Sequence, residues 1–305
     1  MKYLLYLSVS SSFYDFMKYL FFALVLLSIY SCQSNKKKDI NENSWTSIWN
    51  GNDITGWHTY LGTPYQIETD SLGNTIVPFG IDNDPLGVIK VVETEQGNAI
   101  RISGVAWGMI YTEKEYKNYH LKLKIKWGED KHPPRAHLAR DSGLLYHGFG
   151  APGSAGNWMG SQELQIQQGD IGDYWPVGDV EIDIPSVPTE DKYHIYKKGA
   201  DLRTYYLAEI LNTAVADSLA KRRVLKAFDA EKSHGEWNDV ELIVFGDSSI
   251  HIVNEKVVMR LFNSRNMNTK LPLNSGKIIL QSEGAEVFYK DLYLKSINEI
   301  PAAYK

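Results

Sequence analysis

Cysteine is almost missing from this chain: among its 305 residues only Cys32 is one, so no disulfide can form within it. An excess of basic charge is missing as well. The 32 lysines and arginines are outnumbered by 37 acidic residues, for a net charge of −5. That balance leaves no basic footprint for nucleic acid, which is excluded as a partner. The sequence also lacks a zinc motif, a P-loop, a dinucleotide fingerprint and a Gly-x-Ser-x-Gly elbow. Helical periodicity is confined to Leu202–Lys232, where Leu207, Ile210, Leu211 and Ala214 recur at helical spacing. The long hydrophobic run is "YLFFALVLLSIYSC", after Met17-Lys18, and it is too short to favour a spanning helix.

That run has the length and polarity of a signal peptide. It ends at Ile29-Tyr30-Ser31-Cys32, which resembles a bacterial lipobox, where the cysteine is lipidated and becomes the mature N-terminus. Residues 1–32 are therefore read as a lipoprotein signal. Met17 is the expected true start, because 1–16 repeats the "MKYL" opening. Residues 33–44, "QSNKKKDINENS", read as a polar tether. The expected location is the bacterial cell envelope, with the protein held at the membrane by a lipid on Cys32.

From 45 to 298 the pattern is that of one domain, and strands dominate it. "YHLKLKIKW" sets Tyr119, Leu121, Leu123, Ile125 and Trp127 on one face and His120 with three lysines on the other. "AIRISG", "SGLLYH", "QELQIQ", "VEIDI", "VELIVF" and "IHIVNEKVV" are further short strands between Gly, Asp, Asn and Pro turns, with a hairpin turn at Asn254-Glu255. "GKIILQSEGAEVFYKDLYLKSI" supplies a closing pair. Many short strands with almost no helix predict an all-β fold, a two-sheet jelly-roll sandwich with a minor helical or irregular insertion near 202–232.

The most informative stretch is Ser161–Trp175, "SQELQIQQGDIGDYW". On a strand, Glu163, Gln165 and Gln167 share one face while Leu164 and Ile166 take the other. Amides offer donor and acceptor together and so suit sugar hydroxyls. Solvated strands more often carry Lys and Thr, which favours a binding row over a plain outer surface. The 8 Trp and 19 Tyr point the same way, since flat sugar faces stack on aromatic rings, although each ring alone is as easily core. Tyr174 or Trp175, after the row, is a candidate stacking residue, and Trp158, before it, is a candidate substrate-binding residue.

Other residues join this candidate site. In "RDSGLLYHGFG", Asp141, Gly143, Leu145 and His147 fall on one face, with His147 at a strand end where a loop lifts it into a cleft. Arg140, just before the strand, is placed to steady an anion. Asp170 and Asp173 lie in a glycine-opened loop, where they cap turns or reach sugar hydroxyls; calcium is a weaker alternative, because the ligand density is low. "EIDIP" approaches the Glu-x-Asp-x-Glu strand of laminarinase-like glycosidases, but Pro185 stands where the final carboxylate belongs. The retaining two-carboxylate mechanism therefore has no home on that strand.

Taken in order, "WTSIWNGNDITGW", "TEKEYKNYHLKLKIKW", "DSGLLYH", "NWMGSQELQIQQGDIGDYW", "HGEWNDVELIVFG", "HIVNEKVV" and "GKIILQSEGAEVFYKDLYLKSI" resemble the 3-keto-disaccharide hydrolase domain family. The chain departs from it around Gly62–Val92 and Leu202–Lys232. The resemblance implies a concanavalin-like jelly roll and an oligosaccharide or glycoside substrate oxidised at carbon three. It implies cleavage by removal of the proton on carbon two and elimination of the glycosidic oxygen, with or without water addition. On that basis Glu163 is the base and His147 its partner or the acid, roles that are exchangeable. Gln165, Gln167, Asp173, Trp158, Trp175 and Glu283 bind substrate, and Arg140 stabilises the enolate. No cofactor is required with certainty, and a divalent cation is the alternative to Arg140. The rival readings are a conventional glycoside hydrolase and a noncatalytic carbohydrate-binding lipoprotein.

Overall fold

The computed structural model describes residues 44–65, 77–191, 193–207 and 222–305. The signal-like segment ending at Cys32 and nearly all of the tether after it lie outside the described residues. Among the described residues, no helix is long and apolar enough to cross a membrane.

Strands are numbered in chain order. One sheet runs β4 (Ile89–Thr94), β5 (Gly97–Ile102), β19 (Ala285–Ser296), β7 (Tyr119–Lys131), β15 (Asn238–Phe245), β16 (Ser248–Val253), β17 (Lys256–Asn266). The short β1 (Thr46–Ser47) lies beside the far half of β19. The other sheet runs β3 (Gly80–Ile81), β2 (Trp57–Leu61), β6 (Gly108–Thr112), β18 (Lys277–Ser282), β8 (Asp141–Phe149), β9 (Gly160–Gln167), β10 (Tyr174–Val177). It continues through β14 (Val224–Leu225) and β12 (His194–Tyr196) to β11 (Val180–Pro188), which also carries β13 (Leu202–Tyr206). The sheets are joined along one side by β17, whose first half pairs with β16 and whose second half pairs with β11.

This is the all-β jelly-roll sandwich that the strand pattern predicts, and period-2 alternation explains it. Leu121, Leu123, Ile125, Val240, Leu242, Val287 and Tyr289 from one sheet meet Leu144, Tyr146, Leu164, Ile166, Ile278 and Leu280 from the other in a common core. Each such side chain contributes about 1.5–3 kcal/mol by leaving water. Buried hydroxyls bridge the layers: Ser142 Oγ bonds to the Gln281 carbonyl and to Tyr289 Oη, both at 2.7 Å, and Tyr146 Oη meets Ser249 Oγ at 2.7 Å. The turn expected at Asn254-Glu255 forms with both residues at positive φ, 48° and 67°.

Of the helical or irregular insertion read near 202–232, two short strands are described. Leu202–Tyr206 is an edge strand on β11, and Val224–Leu225 is a strand between β10 and β12. Thr204, Tyr205 and Tyr206 favour extended backbone, which suits pairing along β11. Ile210, Leu211 and Ala214 lie outside the described residues.

Candidate active site

With Leu164 and Ile166 committed to the core, the opposite face of β9 is fixed. Register sets Glu163 beside Leu145, Gln165 beside Gly143 and Gln167 beside Asp141 on β8, and Glu163 beside Trp175 on β10. Of these, Asp141, Glu163, Gln165, Gln167 and Trp175 line a cleft of about 500 Å³ on the outer face of their sheet. Gln281 and Glu283, from the end of β18 and the turn after it, complete its polar wall, with Arg135 from the loop after β7. Trp158, Trp175, Val177, Leu207 and Arg222 also line it.

Gly143 forms part of the floor. A Cβ there would stand 2.1 Å from Gln281 Oε1 and 2.3 Å from Glu163 Oε1, so those side chains rest over bare backbone. Arg135 pairs with the Asp141 carboxylate, and its other nitrogen lies 4.0 Å from Glu283. Gln167 donates to Asp141 Oδ2 at 2.7 Å.

Burial governs the electrostatics. Desolvation, with Glu283 and Asp141 nearby, pushes the Glu163 carboxyl well above the ordinary carboxylate range. Glu283 is raised in the same way, by burial and then by Asp141, with Arg135 opposing. Asp141 rises to about 6, because desolvation outweighs the neighbouring Arg135. Arg222 packs over the Trp175 ring at 5.1 Å, with no carboxylate partner among the described residues; burial lowers its pKa. Several cleft atoms are buried without a hydrogen-bond partner: Asp141 Oδ1, Gln165 Oε1, Gln281 Oε1, Trp175 Nε1 and the Nε atoms of Arg135 and Arg222. Native interiors rarely leave such groups unmatched, and their concentration here marks a surface shaped for a polar ligand.

Glu163, Gln165, Gln167, Trp158, Trp175 and Glu283 therefore share one cleft. His147 does not join them, contrary to the alternation of β8. A β-bulge intervenes: the registers with β9 and β18 both shift there, and His147 has φ 55°. The extra residue turns the ring away from the cleft, 5.3 Å from Tyr146, with Nδ1 3.3 Å from Ser264 Oγ. Burial holds this imidazole down at about 3, so it stays neutral.

Arg140 is also corrected. It lies outside the cleft lining, donating to the Gly128 and Glu129 carbonyls and to Gln168 Oε1, and so ties β7 to the β9 turn. Asp173 is a buried loop anchor, accepting from Arg223 Nε at 3.0 Å and from the Lys226 amide at 2.8 Å. Arg223 also reaches Asp170 at 2.7 Å, so a guanidinium occupies the position read as a weak calcium loop. Glu181 and Asp183 of "EIDIP" are held in a cluster with Arg265, which pairs with both, and Lys270, which pairs with Glu181.

Gln281, Arg135 and Arg222 are cleft residues that the sequence reading does not name, and it places Asp141 on the cleft-facing side of its strand without a role. Strand parity marks Asp141 and Gln281, since Asp141 shares a face with Gly143 and Gln281 stands two residues before Glu283. The arginines come from irregular segments, where no periodicity points to them. Among the described residues, no group of three or more His, Cys, Asp or Glu is set to hold a metal ion. Asp141 and Glu283 both turn to Arg135, a donor set that suits a guanidinium rather than a resident divalent cation.

The described fold is similar to that of a candidate glycosyl hydrolase from Parabacteroides distasonis ATCC 8503, at 19% identity over 83% of this chain and 94% of that one, with a TM-score of 0.46. A second such protein from that organism is 16% identical over 84% of this chain and 100% of that one, with a TM-score of 0.43. The carbohydrate-binding module CBM66 from Bacillus subtilis is 9% identical over 68% of this chain and 92% of that one, with a TM-score of 0.38. No curated protein matches the chain. A family model does, over residues 44–295, from before β1 to within one residue of the end of β19. The chain is thus a carbohydrate-active protein that belongs to the 3-keto-alpha-glucoside-1,2-lyase-like domain family.

Proposed function

We propose that the protein cleaves the glycosidic bond of 3-keto-glycosides by elimination. The observation that carries this reading is the Glu163 carboxyl, buried on the Gly143 floor beside a second raised carboxyl, Glu283. A base with an elevated pKa is the stronger base once ionised, and a neighbouring carboxyl that keeps its proton is an acid at the same pH. A ketone at carbon three acidifies the hydrogen on carbon two. Glu163 takes that proton, and the bonding pair moves into an enolate with its charge on the ketone oxygen. The pair then returns: the ketone reforms, a double bond closes between carbons one and two, and the glycosidic oxygen leaves with a proton from Glu283. Arg222, with the Gln165 and Gln281 amides, holds the enolate oxygen in the place foreseen for Arg140. Adding water to the enone afterwards makes the outcome a net hydrolysis.

The test is to incubate the purified protein with a 3-keto-disaccharide and with its unoxidised parent, following products by mass. Release from the keto substrate alone, lost in Glu163→Gln, is the expected result, and a product lighter by one water marks a lyase. Release from the unoxidised parent would overturn the proposal in favour of a conventional glycoside hydrolase. Binding of either sugar without turnover would leave a carbohydrate-binding lipoprotein.

The proposal includes an envelope location through a lipid on Cys32. Labelled palmitate should enter the protein in a bacterial host, and Cys32→Ser should abolish that incorporation.

A further inference from the structure

Three carboxyls meet along the polar wall of the cleft, with one guanidinium among them. Asp141 comes from β8, Glu163 from the adjacent β9, and Glu283 from the turn after β18. Arg135 arrives on the loop after β7, and Gly284 lets it approach. The Gly284 carbonyl accepts from the His132 amide at 2.7 Å, and a Cβ on Gly284 would stand 3.1 Å from the Arg135 Cβ. Its φ of 84° suits glycine as well. The turn that carries Glu283 and the loop that carries Arg135 are thus held against each other.

Of the two carboxyls within its reach, Arg135 pairs with Asp141. One terminal nitrogen contacts Asp141 Oδ2, while the other stops 4.0 Å from Glu283 Oε1, beyond hydrogen-bond distance. Gln167 donates to the same Asp141 oxygen at 2.7 Å, so the carboxylate that draws the guanidinium is itself fixed. The side chains of Asp141 and Arg135 are only 4% and 20% exposed, where a pair in contact outweighs one held farther apart. Among the described residues, the charged or titratable groups lining the cleft around Glu283 are Asp141, Glu163, Arg135 and Arg222.

We infer that Asp141 is a positioning residue for the proton transfer: by holding Arg135 it keeps that cation from pairing with Glu283, which stays protonated as the acid to the glycosidic oxygen. The inference rests on the elimination reading and deepens it by giving the third carboxyl a task. Asp141 ionises at about 6, while burial and then the Asp141 charge push Glu283 well above the usual carboxylate range. At neutral pH the wall therefore holds a paired carboxylate beside an acid. In the elimination Glu163 gains the proton of carbon two and Glu283 loses one to the departing alcohol, so the net charge of the cluster does not change. Without the Asp141 charge, Arg135 needs to advance only about 1 Å to bond Glu283, and an ionised Glu283 has no proton to give.

The experiment compares the full protein with Asp141→Asn, Arg135→Gln and the double variant on a 3-keto-disaccharide and on p-nitrophenyl 3-keto-glucoside. The sugar alcohol needs a proton to leave, whereas nitrophenolate leaves without one. Thermal unfolding of each variant checks that it folds. In Asp141→Asn, kcat on the disaccharide should fall about 10²-fold, with the nitrophenyl substrate within about threefold of wild type. The limb on which disaccharide cleavage declines at high pH, as Glu283 ionises, should move to lower pH. Removing the cation as well should restore most of the lost rate, and Arg135→Gln alone should keep the proton donor. Equal loss on both substrates in either single variant, an unmoved limb, or no recovery in a folded double variant would overturn the inference; if the double variant does not fold, the limb in Asp141→Asn decides. If the wild type cleaves neither substrate, the elimination reading has failed, and the charge arrangement is tested alone by carbon-13 NMR titration of the Glu283 carboxyl. A lower pKa in Asp141→Asn than in wild type would still support the hold on Arg135; an unchanged one would remove it.

Discussion

A buried carboxyl without a cation of its own is costly, and Glu163 has none among the described residues. Burial raises its folded-state pKa well above the ordinary glutamate value of 4.5. A group raised in this way contributes stability that is full at low pH and is lost as pH climbs from the unfolded value through the folded one. Asp141 adds the same sign between 3.8 and about 6. Glu163→Gln should therefore abolish turnover and yet raise stability by about 1–2 kcal/mol at pH 8, with little gain at pH 4. Thermal unfolding at the two pH values checks this, and a variant destabilised equally at both would count against a charge-burial origin. In turnover, kcat/KM should rise with pH along a limb displaced above the ordinary carboxylate range as the base ionises. Arg222→Gln should lower kcat by about 10²–10³, the loss typical of an oxyanion donor, with Arg222→Lys recovering part of it.

At the scale of strands, Gly143 is the position where backbone and chemistry meet. Gly143→Ala drives a methyl into Gln281 and Glu163, and should cost about 1–3 kcal/mol while displacing both side chains from the cleft floor. The sign of that effect is measurable by denaturant unfolding alongside activity. β8 and β9 also show what a sequence reveals. Alternation along "SQELQIQ" separates Leu164 and Ile166 from Glu163, Gln165 and Gln167, because a half-buried strand must repeat every second residue. The same arithmetic fails at His147, since a bulge adds one residue and swaps the faces beyond it. It is silent for Arg135 and Arg222, which approach the cleft from irregular backbone, and for Arg140 and Asp173, whose roles depend on partners distant in sequence. Trp158 and Trp175 were legible only as aromatic residues near the row.

For the molecule as a whole, chain order and spatial order diverge widely. β19 lies between β5 and β7, and β18 between β6 and β8, so strands from the first half of the domain depend on partners near its end. Contacts this distant in sequence slow folding, and refolding after dilution from denaturant should take milliseconds to seconds rather than microseconds, as stopped-flow tryptophan fluorescence would show. A chain ended before Ala285 leaves one long flank of β7 open and should yield no folded product. A ribosome making this protein therefore releases almost the whole domain before its fold can close. During that interval the polypeptide remains threadable, the form in which a secretory pore accepts its cargo.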